Sequence, residues 1–277
     1  MTLDPDQLGR SKSDLAEALR RLRLEAGLTG DRLSARCGIS QSKISKLETG
    51  KATPSLVDVE RILRALGAPS AIIQEVSSLA RSANTEWQDK PTSWRRGIEK
   101  RQAELSSLEA SATELKYFLP AMITGLLATP EYVRASLSNS PGDRTAVIAR
   151  KLERQAALYD ESKSFTFLLT EQSVKWAMVP PQAMAVQIDR LASLTYLPTV
   201  RIGVIPYGTL LTRGPMNTFT VYDDRLVTAE MLTGRIVFQD PRDILQYREI
   251  FSTFEECALF DAEARGRLGE WSMMYRR

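Results

Sequence analysis

Residues 28–54 read LTGDRLSARCGISQSKISKLETGKATP, and their apolar spacing leaves little freedom in how they fold. Leu33, Ile39, Ile44 and Leu47 recur as they would on two short helices packed against each other. Gly38 lies between the two, where a residue without Cβ takes positive φ at no steric cost. Ser40 follows as a side-chain cap, and a second helix is predicted from Gln41 to Glu48. The segment closes on Gly50, Lys51 and, three residues further, Pro54. Glycine turn, cap, apolar spacing and closing loop together predict a helix-turn-helix unit, a combination much harder to reach by chance than any one of its parts. The second helix turns Gln41, Ser42, Lys43, Ser45 and Lys46 outward. Amide, hydroxyl and ammonium groups on an exposed helix are the partners that base edges and phosphates in a major groove require. An ordinary surface helix carries such side chains too, so this face counts only together with the rest of the pattern.

Charge is concentrated on the same stretch. The whole chain has a net charge of only +3, so it is no generic polycation. Residues 32–51 hold Arg32, Arg36, Lys43, Lys46 and Lys51 against Glu48, a net of +4 in twenty residues. That local excess fits phosphate neutralisation. A second basic cluster, Arg95, Arg96, Lys100 and Arg101, reads as a solvated helix face.

Residues 13–66 closely resemble the Xre family of phage-repressor and Cro-like regulators, with Leu15 to Leu28 as helix one and Ser55 to Leu66 as helix four. The resemblance implies DNA binding, with Gln41, Ser42 and Lys46 at base edges and Lys43 and Ser45 flanking them. It also implies Gly50 and Lys51 at the phosphate backbone. The family often opens the first helix of the motif with a glutamine that touches phosphate; here that position is Gly30, whose backbone N–H is left to meet the anion.

At 277 residues the chain is long enough for two domains, and the motif occupies only the first quarter. A hydrophobic content of 43% with 26% charged residues is that of a globular protein. No stretch approaches the roughly 18 apolar residues needed to span a bilayer, and the acidic, polar start MTLDPDQL is not a signal peptide, so a cytoplasmic protein is expected. The chain contains no histidine, which removes the commonest metal ligand and general base. Its two cysteines, Cys37 and Cys257, are too far apart to suggest a metal site or disulfide framework. No enzyme activity, cofactor or metal is expected.

The expected organisation is a multi-domain one. An all-α helix-turn-helix domain of five helices covers 1–80, a linker covers 81–93, and an α/β (α+β) domain with a small mixed sheet covers 94–277. GAPS at 67–70 separates helices four and five. A long helix is expected from Trp94 to Tyr117, then one starting at Thr129-Pro130-Glu131 and another over 144–161. Strands are expected at 165–171, 199–207, 217–222, 226–232 and 235–239, with a helix over Pro181 to Leu194. Asp223-Asp224 and Thr233-Gly234 mark turns, and helices over 241–259 and 261–274 close the chain.

FLPAMITGLLATPEYVRA, RKLERQAAL, FLLTEQSV and VRIGVIPYG, in that order, resemble the C-terminal domain of actinobacterial Xre-type regulators, many of them called antitoxin-like. The resemblance covers about residues 85–275. The family usually reads IPGLLQT where this chain has MITGLLAT, with threonine for proline and alanine for glutamine. Membership implies pairing with a small protein, often encoded nearby. Glu171 and Glu230 are read as structural carboxylates paired with arginines such as Arg150 or Arg154. Phe118, Leu119, Met122, Ile123, Leu126, Leu127 and Tyr132 are read as core or partner interface, with a small-molecule pocket as the alternative. The expected function is a sequence-specific regulator, of repressor type, that binds an operator in double-stranded DNA as a homodimer, with no membrane partner. The alternative is a helix-turn-helix regulator whose C-terminal domain senses a small molecule.

Overall fold

The computed structural model describes residues 11–89, 107–138, 144–231 and 234–276, and the chain forms two compact units, one comprising the chain up to Glu86 together with Phe238–Asp240 and the other Trp87–Val237 together with the chain from Pro241 onward. The first unit holds five helices: α1 (Ser11–Glu25), α2 (Gly30–Cys37), α3 (Gln41–Glu48), α4 (Leu56–Ala65) and α5 (Ser70–Asn84). Each boundary has a local cause. Thr29 and Ser40 cap α2 and α3 by accepting the backbone N–H groups of Arg32 and Lys43, each at 3.3 Å. Gly38 takes φ +67° and donates its N–H to the Ser34 carbonyl at 3.0 Å, ending α2 in the left-handed conformation that glycine favours. Ser55 and Asp58 form a reciprocal capping box at the start of α4. Leu15, Leu19, Leu33, Ile44, Leu47, Val59, Ile62 and Leu63 meet in one core. Cys37 is buried in it, as a small apolar residue would be.

Helix α5 runs to Asn84, beyond the expected end at Ala80, because Ala83 carries the buried face on by another turn. The boundary between the two units falls within the stretch 81–93, but the described part of that stretch is not irregular. It is helical to Asn84 and forms strand β1 over Thr85–Asp89; residues 90–93 lie outside those described.

The second unit is built on a seven-stranded mixed sheet. Its strands are β1, β2 (Glu114–Leu119), β3 (Ser164–Thr170), β4 (Val200–Ile205), β5 (Phe219–Tyr222), β6 (Leu226–Glu230) and β7 (Gly234–Phe238). The order is β1-β7-β6-β5-β2-β3-β4, with β2, β3 and β4 parallel and the pairs β2–β5 and β5–β6 antiparallel. Around the sheet lie α6 (Pro130–Ser136), α7 (Thr145–Glu153) with a 3-10 turn (Arg154–Tyr159), α8 (Glu171–Lys175), α9 (Pro181–Leu194), α10 (Pro241–Glu255) and α11 (Asp261–Met274). The turns at 140–143 and at Thr233 fall outside the described residues.

The expected long helix from Trp94 to Tyr117 is corrected at its C-terminal end. Residues 107–111 are helical, but Glu114–Leu119 is the central strand β2; residues 94–106 lie outside the described part. The break has a chemical cause 110 residues away. Asp223, in the turn between β5 and β6 with φ +49°, accepts the Thr113 and Glu114 backbone N–H groups at 2.9 and 2.8 Å. Those donors are thereby withdrawn from any continuing helix.

Leu115, Tyr117, Phe165, Phe167, Ile202 and Val204 face one core, completed by Ile188 and Leu191 of α9 and Leu268 of α11. The opposite face carries Phe118, stacked on Phe254 with ring centroids 4.2 Å apart. Of the apolar cluster around residues 118–132, Phe118, Leu119, Ile123, Leu126, Leu127 and Tyr132 are buried, whereas Met122 is exposed. The segment between β2 and α6 is held by side-chain amides: the buried Gln187 accepts the Thr129 N–H at 2.7 Å and donates to the Leu127 carbonyl at 3.0 Å, and the partly buried Gln155 donates to the Gly125 and Ala128 carbonyls, both at 2.8 Å.

Gly203 lies in register with Leu168, which is itself in register with Phe118. A Cβ at Gly203 would stand 2.7 Å from two ring carbons of Phe260 and 2.9 Å from Leu168 Cδ2. Both neighbours are packed side chains, so Gly203→Ala is expected to cost about 1–3 kcal/mol by overpacking. Urea unfolding followed by tryptophan fluorescence measures this, and an unchanged midpoint would mean that Phe260 does not need the missing side chain.

Candidate nucleic-acid interface

At about 100° per residue, Gln41, Ser45, Ser42 and Lys46 fall within one stripe of roughly 140° on α3. All four are exposed, while Ile44 and Leu47 point into the core. The remaining two positions of the helix lie at the flanks of that stripe, and each is held by an ion pair. On one flank Glu48 receives Arg23 of α1, Nε to Oε1 at 2.7 Å and Nη2 to Oε2 at 2.8 Å; Arg23 also donates to the Leu28 carbonyl at 2.8 Å. Both side chains are mostly buried, and the bonds to Glu48 hold the guanidinium above its ordinary pKa. On the other flank Lys43 Nζ meets Asp58 of α4, 2.9 Å from Oδ2 and 3.1 Å from Oδ1. Burial pushes the Asp58 carboxyl up, but the bonds from Lys43 and Ser55 outweigh it and leave it below the usual carboxylate range.

The other sequence-derived site residues sit around this stripe. A Cβ added at Gly30 would stand 3.7 Å from Gln41 Nε2, so the Gln41 amide lies beside the open first turn of α2. Gly50 adopts φ +68° just after α3, with its N–H on the Leu47 carbonyl at 3.2 Å, and the Ala52 N–H returns to the Lys46 carbonyl at 3.1 Å. These bonds fix the closing loop, from which Lys51 is exposed. Gln41, Ser42, Ser45 and Lys46 thus share one exposed face of α3, with Gly30 beside Gln41, while Gly50 and Lys51 lie in the loop that follows α3. Lys43 is partly exposed but tied to Asp58, a partner 15 residues away that the reading of the motif did not include.

In the second unit the Glu171 carboxylate is tied down by hydrogen bonds, with a different partner from the expected arginine. It receives Lys175 at 2.9 Å and the Tyr207 backbone N–H at 2.9 Å. Burial raises its pKa, yet these bonds win and leave it lowered. Arg154 pairs with Glu109, with Nε to Oε2 at 2.9 Å and a second contact between Nη2 and Oε1. Glu109 is 2% exposed, and Tyr117 Oη donates to it at 3.2 Å. Burial and the nearby Glu109 charge push the Tyr117 hydroxyl well up and that of Tyr222 to about 12. No helix among the described residues is long and apolar enough to cross a membrane.

The geometry defines a helix-turn-helix unit followed by a mixed α/β domain. Residues 14–75 match the family model described as helix-turn-helix domain, and residues 102–270 match that described as domain of unknown function, DUF5753. The second match spans more than half of the chain, and the protein belongs to that family. An uncharacterized HTH-type transcriptional regulator of Methanothermobacter thermautotrophicus is 45% identical over 49 residues, which is 18% of this chain and 71% of the relative. Another, y4dJ of Sinorhizobium fredii, is 43% identical over 47 residues, 17% of this chain and 61% of the relative. Among solved structures, NucT from Helicobacter pylori covers 64% of this chain and 98% of its own at 11% identity and a TM-score of 0.39. TrmBL2, an archaeal chromatin protein, covers 73% of this chain and 66% of its own at 12% identity and a TM-score of 0.35. Both scores lie below the level at which a shared fold follows.

Proposed function

We propose that this protein is a sequence-specific transcriptional regulator, a repressor of the antitoxin-like kind, that binds an operator as a homodimer and is not an enzyme. The observation that carries the reading is the exposed stripe of Gln41, Ser42, Ser45 and Lys46 on a helix held from both flanks. A rigid helix with hydrogen-bonding side chains along one face suits major-groove readout, because base discrimination needs donors and acceptors at fixed positions. The helix-turn-helix match over residues 14–75 and the two relatives named as HTH-type transcriptional regulators support the same reading. Gly50, Lys51 and the Gly30 N–H are assigned to phosphates, where they would fix orientation and not sequence. Two such units on an inverted repeat would place their α3 helices about 34 Å apart on one DNA face.

The second unit is assigned to dimerisation and to a small protein partner encoded nearby. Six methionines of this unit, Met122, Met178, Met216, Met231, Met273 and Met274, are exposed. Flexible thioethers on a surface suit an adaptable protein contact. The cluster that offered a small-molecule pocket, by contrast, is buried apart from Met122. Genome-wide mapping of bound sites, with and without the neighbouring small gene, tests both halves of the reading. Sites that lack a common inverted repeat would refute the first half, and a map indifferent to the neighbour would refute the second.

Gln41→Ala is expected to cost about 1–3 kcal/mol on the mapped operator and much less on random duplex, whereas Lys46→Ala, which also removes a cation, should weaken binding to both. Parallel titrations of the two duplexes at one salt concentration decide this. Equal losses on both in Gln41→Ala would assign that side chain to phosphate.

A further inference from the structure

The two ion pairs that flank the α3 stripe differ in what they do to the helix's charge. The Arg23–Glu48 pair neutralises an acid of α3, whereas Asp58 takes hold of one of its cations. We propose that Asp58 is a positioning residue of the DNA interface: it braces α3 against α4 through Lys43 and withholds that ammonium from phosphate. Lys46 and Lys51 are then the cations that α3 and its closing loop offer to DNA. The proposal rests on the DNA-binding reading above and divides the roles within it.

Three observations support this. Lys43 Nζ sits astride both Asp58 oxygens, at 2.9 and 3.1 Å. The carboxylate cannot follow the ammonium outward, because its Oδ2 also accepts the Ser55 N–H at 3.2 Å and its side chain is only 10% exposed. Moving Lys43 to a phosphate would therefore strip a mostly buried acid of its partner, which costs far more than parting an exposed pair. Finally, Lys43 lies about 200° round the helix from Gln41, beyond Lys46 at the edge of the stripe and towards α4. Among the described residues no ion pair is recorded for Lys46 or Lys51.

The test uses the full chain and a random-sequence duplex, so that no operator need be known. Each phosphate contact contributes about 0.9 to the slope of log K against log salt. Lys46→Met is expected to reduce the slope by about that amount per protomer, whereas Lys43→Met, which keeps the apolar stem, should leave it nearly unchanged. Asp58→Asn keeps an acceptor for Ser55 and frees Lys43, so the slope should steepen by a similar increment. Adding Lys43→Met to Asp58→Asn should remove that gain. A reduction by Lys43→Met equal to that of Lys46→Met overturns the proposal, as does an unchanged slope in Asp58→Asn. If Asp58→Asn does not fold by circular dichroism, the comparison of Lys43→Met with Lys46→Met decides alone. A slope indifferent to Lys46→Met as well would show that this face does not meet DNA, and both the interface reading and the proposal would fall.

Discussion

A fragment ending at Asn84 is expected to remain helical and to bind the operator about 10²–10⁴-fold more weakly than the full chain. Its core cluster is drawn from this segment: Leu15, Leu19, Leu33, Ile44, Leu47, Ile62, Leu63, Val76 and Ala80 pack together. The helix caps and the Arg23–Glu48 and Lys43–Asp58 pairs lie within it too. Folding should survive for that reason. Affinity should not, because a single α3 buries little surface, and the second half-site is held at high effective concentration only when a dimer presents it. Circular dichroism checks the first statement, and operator titration of fragment and full chain at one salt concentration checks the second. Equal affinities would show that the second unit does not organise the dimer.

Arg154→Met is expected to destabilise the second unit by about 3–5 kcal/mol, since it leaves a buried carboxylate without its cation. Glu109 is 2% exposed, and the side chain of Arg154 is 12% exposed, so water cannot replace the lost guanidinium. Burial alone would lower the Arg154 pKa, yet the bonds and charge of Glu109 outweigh it and raise it. An exposed pair would be worth only about 0–1 kcal/mol. All four tryptophans, Trp87, Trp94, Trp176 and Trp271, lie beyond Glu86, so their fluorescence during urea unfolding reports on this unit. Replacing both partners, Glu109→Leu with Arg154→Met, should recover most of the loss, because it removes the stranded charge. A single-variant loss below about 1 kcal/mol would show that the pair is solvated after all.

Helix α3 was readable to the residue from Ser40 to Glu48, because its cap, its turn and its buried pair Ile44 and Leu47 all lie within a few positions of one another. The strands β3 to β7 were legible for a similar reason, each being a short apolar run between turn residues. Strand β2 was not. Leu108, Ala112 and Leu115 keep helical spacing, and the signal that ends the helix is Asp223, more than a hundred residues on. The polar run Thr85–Asp89 looked like a linker because backbone pairing to a sheet leaves no mark on composition.

The charged groups show the same division most sharply. That Lys43 would be outward on α3, and that Glu171 would meet a cation, followed from type and spacing. Which partner each one takes did not: Asp58 for Lys43, Lys175 for Glu171, Glu109 for Arg154. By itself the sequence determined the helix-turn-helix unit, its outward face, the two-domain plan and most of the sheet, since helix capping, turn conformation and apolar periodicity act over three to five residues. Only the tertiary structure decided where β2 begins, which cations are already neutralised and which face of α3 is braced, because desolvation and charge pairing depend on what the folded chain brings within about 4 Å.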